Sequence, residues 1–308
     1  MATALVTHDD CLGHLTPPGH PEQVARLETI NRALAGLDLT RIAAPLADKA
    51  HVLRGHSQRH WDVVSANTPL TGFNPIDGDT FMSPGSLTAA LRGVGGMIAA
   101  VDAVLAGQVA NAFVAARPPG HHAERDRAMG FCLFGTVAIA AKHALDHHGL
   151  SRVAIVDFDV HHGNGTQDIL WDDDRVLFIS SHQWPLYPGT GRASETGAHG
   201  NVINVPLRPN TGGAEMRAAY DTQVWPELEE FEPELILISA GFDAHADDPL
   251  ANLNWQADDF GWLTGRICDI ADAHCGGRVV SHLEGGYDLA ALAASVTAHV
   301  TVLRERGA

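Results

Sequence analysis

Arg152-Val-Ala-Ile-Val-Asp-Phe-Asp-Val-His-His-Gly-Asn-Gly-Thr166 joins a short apolar run to a row of carboxylates and imidazoles. The uncharged, β-branched start reads as a strand covered on both faces, as in a parallel sheet. Successive side chains of an extended chain alternate in direction, so Asp157, Asp159 and His161 share one face while Phe158, Val160 and His162 share the other. A carboxylate and an imidazole two residues apart at a strand end suit a catalytic divalent metal, which takes about three protein ligands and leaves a position open for water. The third ligand has to come from elsewhere. A competing reading is that these residues only cap a helix beginning at Asn164, Gly165 and Thr166.

Working outward, similar apolar runs recur at 2–8, 111–117, 176–182, 202–207, 235–241 and 278–284, with a weaker one at 41–44. The segments between them carry helical periodicity at 86–106, 133–148, 213–230, 257–275 and 289–305. This alternation predicts an α/β fold, a mostly parallel sheet with helices on both faces. No repeat or linker interrupts it, so residues 1–308 read as one domain, and the Pro/Gly-rich stretch from Pro69 to Gly85 reads as a surface loop.

The 308 residues are 45% hydrophobic and 19% charged, enough to bury a substantial core. A formal net charge of -17 argues against holding nucleic acid through its phosphates. Cys11, Cys132, Cys268 and Cys275 form no Cys-x-x-Cys pair and read as reduced thiols, which places the chain in the cytoplasm. The first ten residues lack a leader pattern, and no run of about 18 uncharged apolar residues follows, so no membrane association is expected. Of the histidine pairs, His147 and His148, just before Gly149, read as a solvated helix end.

Ligands of open α/β sheets sit at the carboxyl ends of strands. Five such ends carry unusual residues: Arg117-Pro-Pro-Gly-His-His-Ala123, the Asp/His row, Tyr187-Pro-Gly-Thr-Gly191, Phe242-Asp243 and Gly285-Gly-Tyr-Asp288. Together with Pro18-Gly-His-Pro-Glu22, Arg26-Leu27, Gly130-Phe-Cys132, Ser239-Ala-Gly-Phe-Asp243 and Glu284-Gly-Gly-Tyr287, they make the chain resemble the zinc-dependent histone deacetylase and acetylpolyamine amidohydrolase superfamily. The resemblance spans nearly the whole chain and implies an arginase-like fold with a central eight-stranded sheet. Asn164 and the Glu-Gly-Gly-Tyr ending resemble the class II branch and its bacterial relatives.

The resemblance implies Asp159, His161 and Asp243 as ligands of zinc, or of iron(II). It implies His122 as general base, His121 as its electrostatic partner, and Asp157 and Asn164 as the groups that orient the two imidazoles. Tyr287 becomes the donor to the oxyanion. A structural potassium ion is implied at Asp157, Asp159, His161, Ser180 and Ser181, with a second alkali-ion site near Leu170, Asp173 and Val176. Gly130, Phe131, Tyr187, Leu250, Gly285 and Gly286 are the implied substrate channel, with Tyr187 standing where Phe is more usual. Arg26 is assigned either to an acetate exit channel or to a surface ion pair on its helix.

The implied reaction is removal of acetyl or other acyl groups from the ε-amine of lysine in a peptide or protein. Leu250, where polyamine-selective relatives can carry Glu, favours this substrate; Asp247 and Asp248 point the other way, toward acetylated polyamines or other small N-acetyl amines. Asp243-Ala-His-Ala-Asp247 also resembles an arginase ligand run, which would mean a two-manganese ureohydrolase. A non-catalytic acyl-group binder could dispense with Tyr287 and the His pair, both of which this chain keeps.

Overall fold

The computed structural model describes residues 1–308. Ten strands form in chain order: β1 (Thr3–Thr7), β2 (Thr40–Ala43), β3 (Asn74–Pro75), β4 (Phe81–Met82), β5 (Asn111–Val114), β6 (Val153–Asp157), β7 (Val176–Gln183), β8 (Val202–Leu207), β9 (Leu235–Ala240) and β10 (Val279–Leu283). Eight of them make one sheet in the order β2-β1-β5-β10-β9-β6-β7-β8. Every pairing in it is parallel. All eight were legible as apolar runs because β5, β6, β7, β9 and β10 are buried along their whole length and so need no polar alternation. The exception is the edge strand β2, exposed at three of four residues and correspondingly weak in the sequence.

Ten helices surround the sheet: α1 (Val24–Ala33), α2 (Lys49–Val52), α3 (Gln58–Ala66), α4 (Ser86–Leu105), α5 (Thr136–Asp146), α6 (Asn164–Leu170), α7 (Gly213–Gln223), α8 (Trp225–Phe231), α9 (Ala257–Cys275) and α10 (Leu289–Arg306). One group, α4 with α5, packs on β1, β5, β6 and β10, while α10 packs with α1 and α9. The core comprises a cluster of 69 buried residues, which contains both Phe158 and Val160, the apolar face expected of the opening segment, and a second of 12. Each fully buried Val, Leu, Ile or Phe side chain contributes about 1.5–3 kcal/mol. By length and composition α4 could cross a membrane, but 72% of its apolar stretch is buried within the fold.

Two expectations are corrected. The segment 213–230 is two helices, broken at Val224; Pro226 in the first turn of α8 has no N–H to continue α7. The loop from Pro69 to Gly85 contains the β3–β4 hairpin, tightened by Asp77, whose carboxylate accepts the backbone N–H groups of Asp79 and Thr80 at 3.1 and 2.8 Å.

Candidate active site

Parallel register explains why residues far apart in sequence meet. Asp157 of β6 lies level with Ser239 of β9, so the segments continuing beyond both strands emerge side by side. Asp159, His161 and Asp243 there offer ligand atoms that all lie within 4.8 Å of one another, and all three are buried. The Nδ1 atom of His161 is 3.2 Å from Asp159 Oδ1 and 3.1 Å from Asp243 Oδ2. Burial works against a charge on this imidazole, yet the hydrogen bonds to Asp159 and Asp243 carry it up to about 10.

The donor set fits a divalent metal. Two carboxylates are buried together without a Lys or Arg partner, and their ion-pair neighbours are histidines alone. Such groups are stable inside a protein only when paired or coordinating a cation. The cradle is also closely cut: a Cβ on Gly241 would lie 2.0 Å from Asp159 Oδ2, and one on Gly285 would lie 2.1 Å from Asp243 Oδ2. Backbone N–H groups hold the carboxylates, with Gly285 donating to Asp159 Oδ2 at 2.8 Å and Val160 to Asp243 Oδ1 at 2.9 Å. His245 and Asp247 stand outside this ligand cluster.

The rings of the two imidazoles from the loop after β5 lie 4.0 Å apart, tilted by 40° to one another. His121 Nδ1 meets Asp157 Oδ2 at 3.0 Å. Burial opposes its charge, but Asp159 and Asp157 raise the imidazole to about 10. His122 goes the other way, well below the usual range, because burial and the neighbouring His121 and His161 disfavour a further cation. His122 Nδ1 meets Asn164 Oδ1 at 2.7 Å. The orientation of that amide is set by Glu124, whose carboxylate can only accept and takes the Asn164 Nδ2–H at 2.8 Å. Asn164 therefore presents oxygen to His122, Nδ1 carries the proton, and Nε2 keeps its lone pair.

These groups lie against a cavity of about 230 Å³. Gly130, Phe131, Tyr187 and Leu250 line it, together with His122, His161 and Tyr287. Phe131 adopts a left-handed backbone (φ 69°), a conformation that non-glycine residues hold only where the surroundings impose it. Its N–H is anchored on Thr80 Oγ1 at 3.0 Å. Tyr187, 38% exposed at the rim, sets its ring edge-on to His122 at 5.2 Å. Gly285 and Gly286 are not among the lining residues; they back the carboxylates and Phe242.

Tyr287 is held from two sides. Asp248 accepts its backbone N–H at 2.7 Å, and the Arg26 guanidinium lies 4.9 Å from its ring centre. The surface ion-pair reading of Arg26 is overturned: the side chain is fully buried and donates to Gly286 O, Glu284 O and Glu22 Oε1 at 2.6, 2.5 and 2.9 Å. Glu22 also binds Arg117 and lies 3.3 Å from His14. Neither Asp247 nor Asp248 lines the cavity; Asp247 is exposed and Asp248 is occupied by Tyr287 and Leu250 N–H groups. The acidic lining residue is Asp79, from the loop between β3 and β4.

Sequence reasoning missed Asp79 and Glu124, read Asp248 as an acidic group near the cavity mouth where the structure has it accept the Tyr287 N–H, and assigned no task to Glu22, Arg117 or Glu284. Glu284 accepts the backbone N–H groups of Gly120 and His121 at 2.6 and 3.1 Å and so fixes the imidazole loop. Glu22, Arg117 and Glu284 stood inside recognised motifs, whereas Asp79 and Glu124 carried no local signal at all.

A histone deacetylase domain model matches residues 20–303. An uncharacterized protein of Synechocystis sp. is 42% identical over 300 residues, which cover 95% of this chain and 96% of that relative. A histone deacetylase-like amidohydrolase of Pseudomonas aeruginosa is 41% identical over 279 residues, 89% of this chain and 73% of that relative. The solved HDA15 HD domain is similar at a TM-score of 0.91 and 35% identity, over 97% of this chain and 90% of that one.

Proposed function

The chain belongs to the histone deacetylase family, and from that premise we propose that it is a metal-dependent hydrolase removing acyl groups from the ε-amine of lysine. The observation that carries this reading is the meeting of the Asp159, His161 and Asp243 cluster with His122 and Tyr287 around one largely apolar cavity. A cavity of this kind accepts an uncharged four-carbon stem and leaves the amide facing polar groups. We read residues 1–308 as one catalytic domain.

Asp159, His161 and Asp243 would hold zinc, or iron(II), which when bound polarises an amide carbonyl and makes water acidic enough to attack at neutral pH. His122, with Nε2 unprotonated, takes a proton from the attacking water and hands it to the departing amine. His121, tied to Asp157, places positive charge beside the reacting centre. The Tyr287 hydroxyl donates to the oxyanion, a contact worth about 2.7–4 kcal/mol in comparable sites. Asp248 and Arg26 keep that tyrosine in place. The proposal includes a structural potassium ion at Asp157, Asp159, His161, Ser180 and Ser181; the pairing of Asp157 with Ser180 in the sheet supports it by bringing the two segments together. All four cysteines are free and buried, which supports a reducing, cytoplasmic location.

One observation favours a second reading. Asp79 lines the cavity, and a carboxylate there would attract the distal ammonium of an acetylated polyamine. The deciding experiment compares kcat/KM on an acetyl-lysine peptide and on N-acetylputrescine with metal-replete enzyme, with Tyr287→Phe as control. A preference of tenfold or more for the peptide, about 1.4 kcal/mol, supports lysine deacylation. The opposite preference moves the enzyme to small acetylated amines, and full activity of Tyr287→Phe would overturn the mechanism.

A further inference from the structure

A second group of histidines lies at the far end of α5, outside the candidate active site. His143 sits in the last turn of the helix, His147 follows it by four residues at the cap, and His148 comes next. Residues four apart on a helix share a face, the spacing by which two imidazoles reach one metal ion. Here the rings of His143 and His147 stack at 4.8 Å, and His148 stands edge-on to both, at 5.3 and 4.9 Å. One ring nitrogen from each of the three lies within 4.8 Å of the other two.

Two further observations separate this group from an ordinary solvated helix end. Asp102, on the neighbouring α4, takes both His143 Nε2 and His148 Nε2 on a single oxygen, at 2.8 and 2.7 Å. A carboxylate on one nitrogen of an imidazole is the arrangement that orients metal-binding histidines and fixes their tautomer. The remaining nitrogen of His143, Nδ1, is buried and has no hydrogen-bond partner, although the residue is only 3% exposed. Buried polar atoms are almost always satisfied, so an orphaned lone pair in a histidine cluster needs an explanation.

We propose that His143, His147 and His148, oriented by Asp102, form a second metal site for a late divalent transition cation such as Zn2+. Imidazole donors suit zinc, copper and nickel and disfavour calcium and magnesium, which take oxygen. His147 and His148 are exposed, so the site is open to solvent and exchanges its ion without passing through the substrate cavity. An ion there ties the end of α5 to α4, and α5 is the helix that follows the His121/His122 loop directly.

The test is equilibrium binding of Zn2+ to the full chain, measured by calorimetry and by metal content after dialysis. Wild type takes two equivalents, whereas His147→Ala/His148→Ala takes one and binds the second at least tenfold more weakly, with kcat/KM on the preferred substrate unchanged. Because both substituted residues are exposed, the fold is not at risk. Asp243→Asn, which cripples the other cluster, retains the α5 equivalent. The proposal is overturned if the double variant still takes two equivalents, or if wild type takes a single equivalent that Asp243→Asn abolishes.

Discussion

Gly241→Ala tests whether the Asp159 carboxylate is held rigidly enough to act as a ligand. The new Cβ would lie 2.0 Å from Asp159 Oδ2, 2.4 Å from its Cγ and 2.5 Å from its Cβ, and real Cβ contacts under 3.0 Å are essentially never seen. The carboxylate must therefore retreat by roughly 1 Å, and its surroundings resist. Oδ2 accepts the Gly285 N–H at 2.8 Å and Oδ1 accepts the His161 N–H at 2.9 Å. Losing one hydrogen bond to a charged group costs about 1.5–3 kcal/mol, and overpacking adds about 1–3 kcal/mol. The sum, about 2.5–6 kcal/mol, is a large part of the roughly 5–15 kcal/mol that keeps a domain folded. A misplacement of 1 Å at a reacting centre lowers rates about 100-fold. The assay is kcat/KM together with Zn2+ affinity at matched folded fraction, with Gly265→Ala as control. Nothing lies within 4 Å of a Cβ at Gly265 in α9, so that change is neutral or stabilises by up to about 1 kcal/mol. If Gly241→Ala kept more than half of the activity and its full metal affinity, the rigid-cradle argument would be refuted.

Glu22→Gln removes the one carboxylate shared by buried Arg26 and Arg117; leaving them uncompensated costs about 3–5 kcal/mol, read as a fall in Tm of roughly 5–10 °C. Glu124→Ala frees the Asn164 amide to turn its NH2 toward His122, which lowers kcat several-fold with little change in KM; equal losses in both would point to a general packing defect. His299 is fully buried and burial depresses its imidazole to about 3. The unfolded chain therefore binds a proton below pH 6.5 that the folded chain refuses, and this stability is lost as pH falls. Between pH 7 and 5.5 wild type should lose about 1 kcal/mol more than His299→Gln, measured by denaturant titration at both pH values; parallel losses in the two proteins would show that His299 is not responsible.

The strands were readable because burial on both faces leaves an uninterrupted apolar run, as in 235–241 against the observed Leu235–Ala240. Helix α9 matched its expected range of 257–275 because a long amphipathic pattern carries its own period. The short helices α1, α2 and α3 escaped notice: four to ten residues give too few turns for a period to stand out. In the site, Asp159 and His161 were recognisable from a local alternation. Asp243 stood out as a strand end, but its role as the third ligand came only through resemblance, since no spacing rule links residues 82 apart.

What the chain determines by itself is thus local: the eight apolar runs, the row of metal-binding side chains at the end of one of them, and a charge that disfavours nucleic acid. Those follow from periodicity and residue chemistry, which act over a few residues. The tertiary structure decided who meets whom. The register of β6 against β9 brought Asp243 to Asp159, the β3–β4 hairpin carried Asp79 into the cavity, and burial turned Arg26 from a surface ion pair into a brace for the Tyr287 loop. Glu124 governs the tautomer of His122 from 40 residues before Asn164, its hydrogen-bond partner. Such pairings depend on the order in which strands assemble, and that order arises from packing the whole core at once.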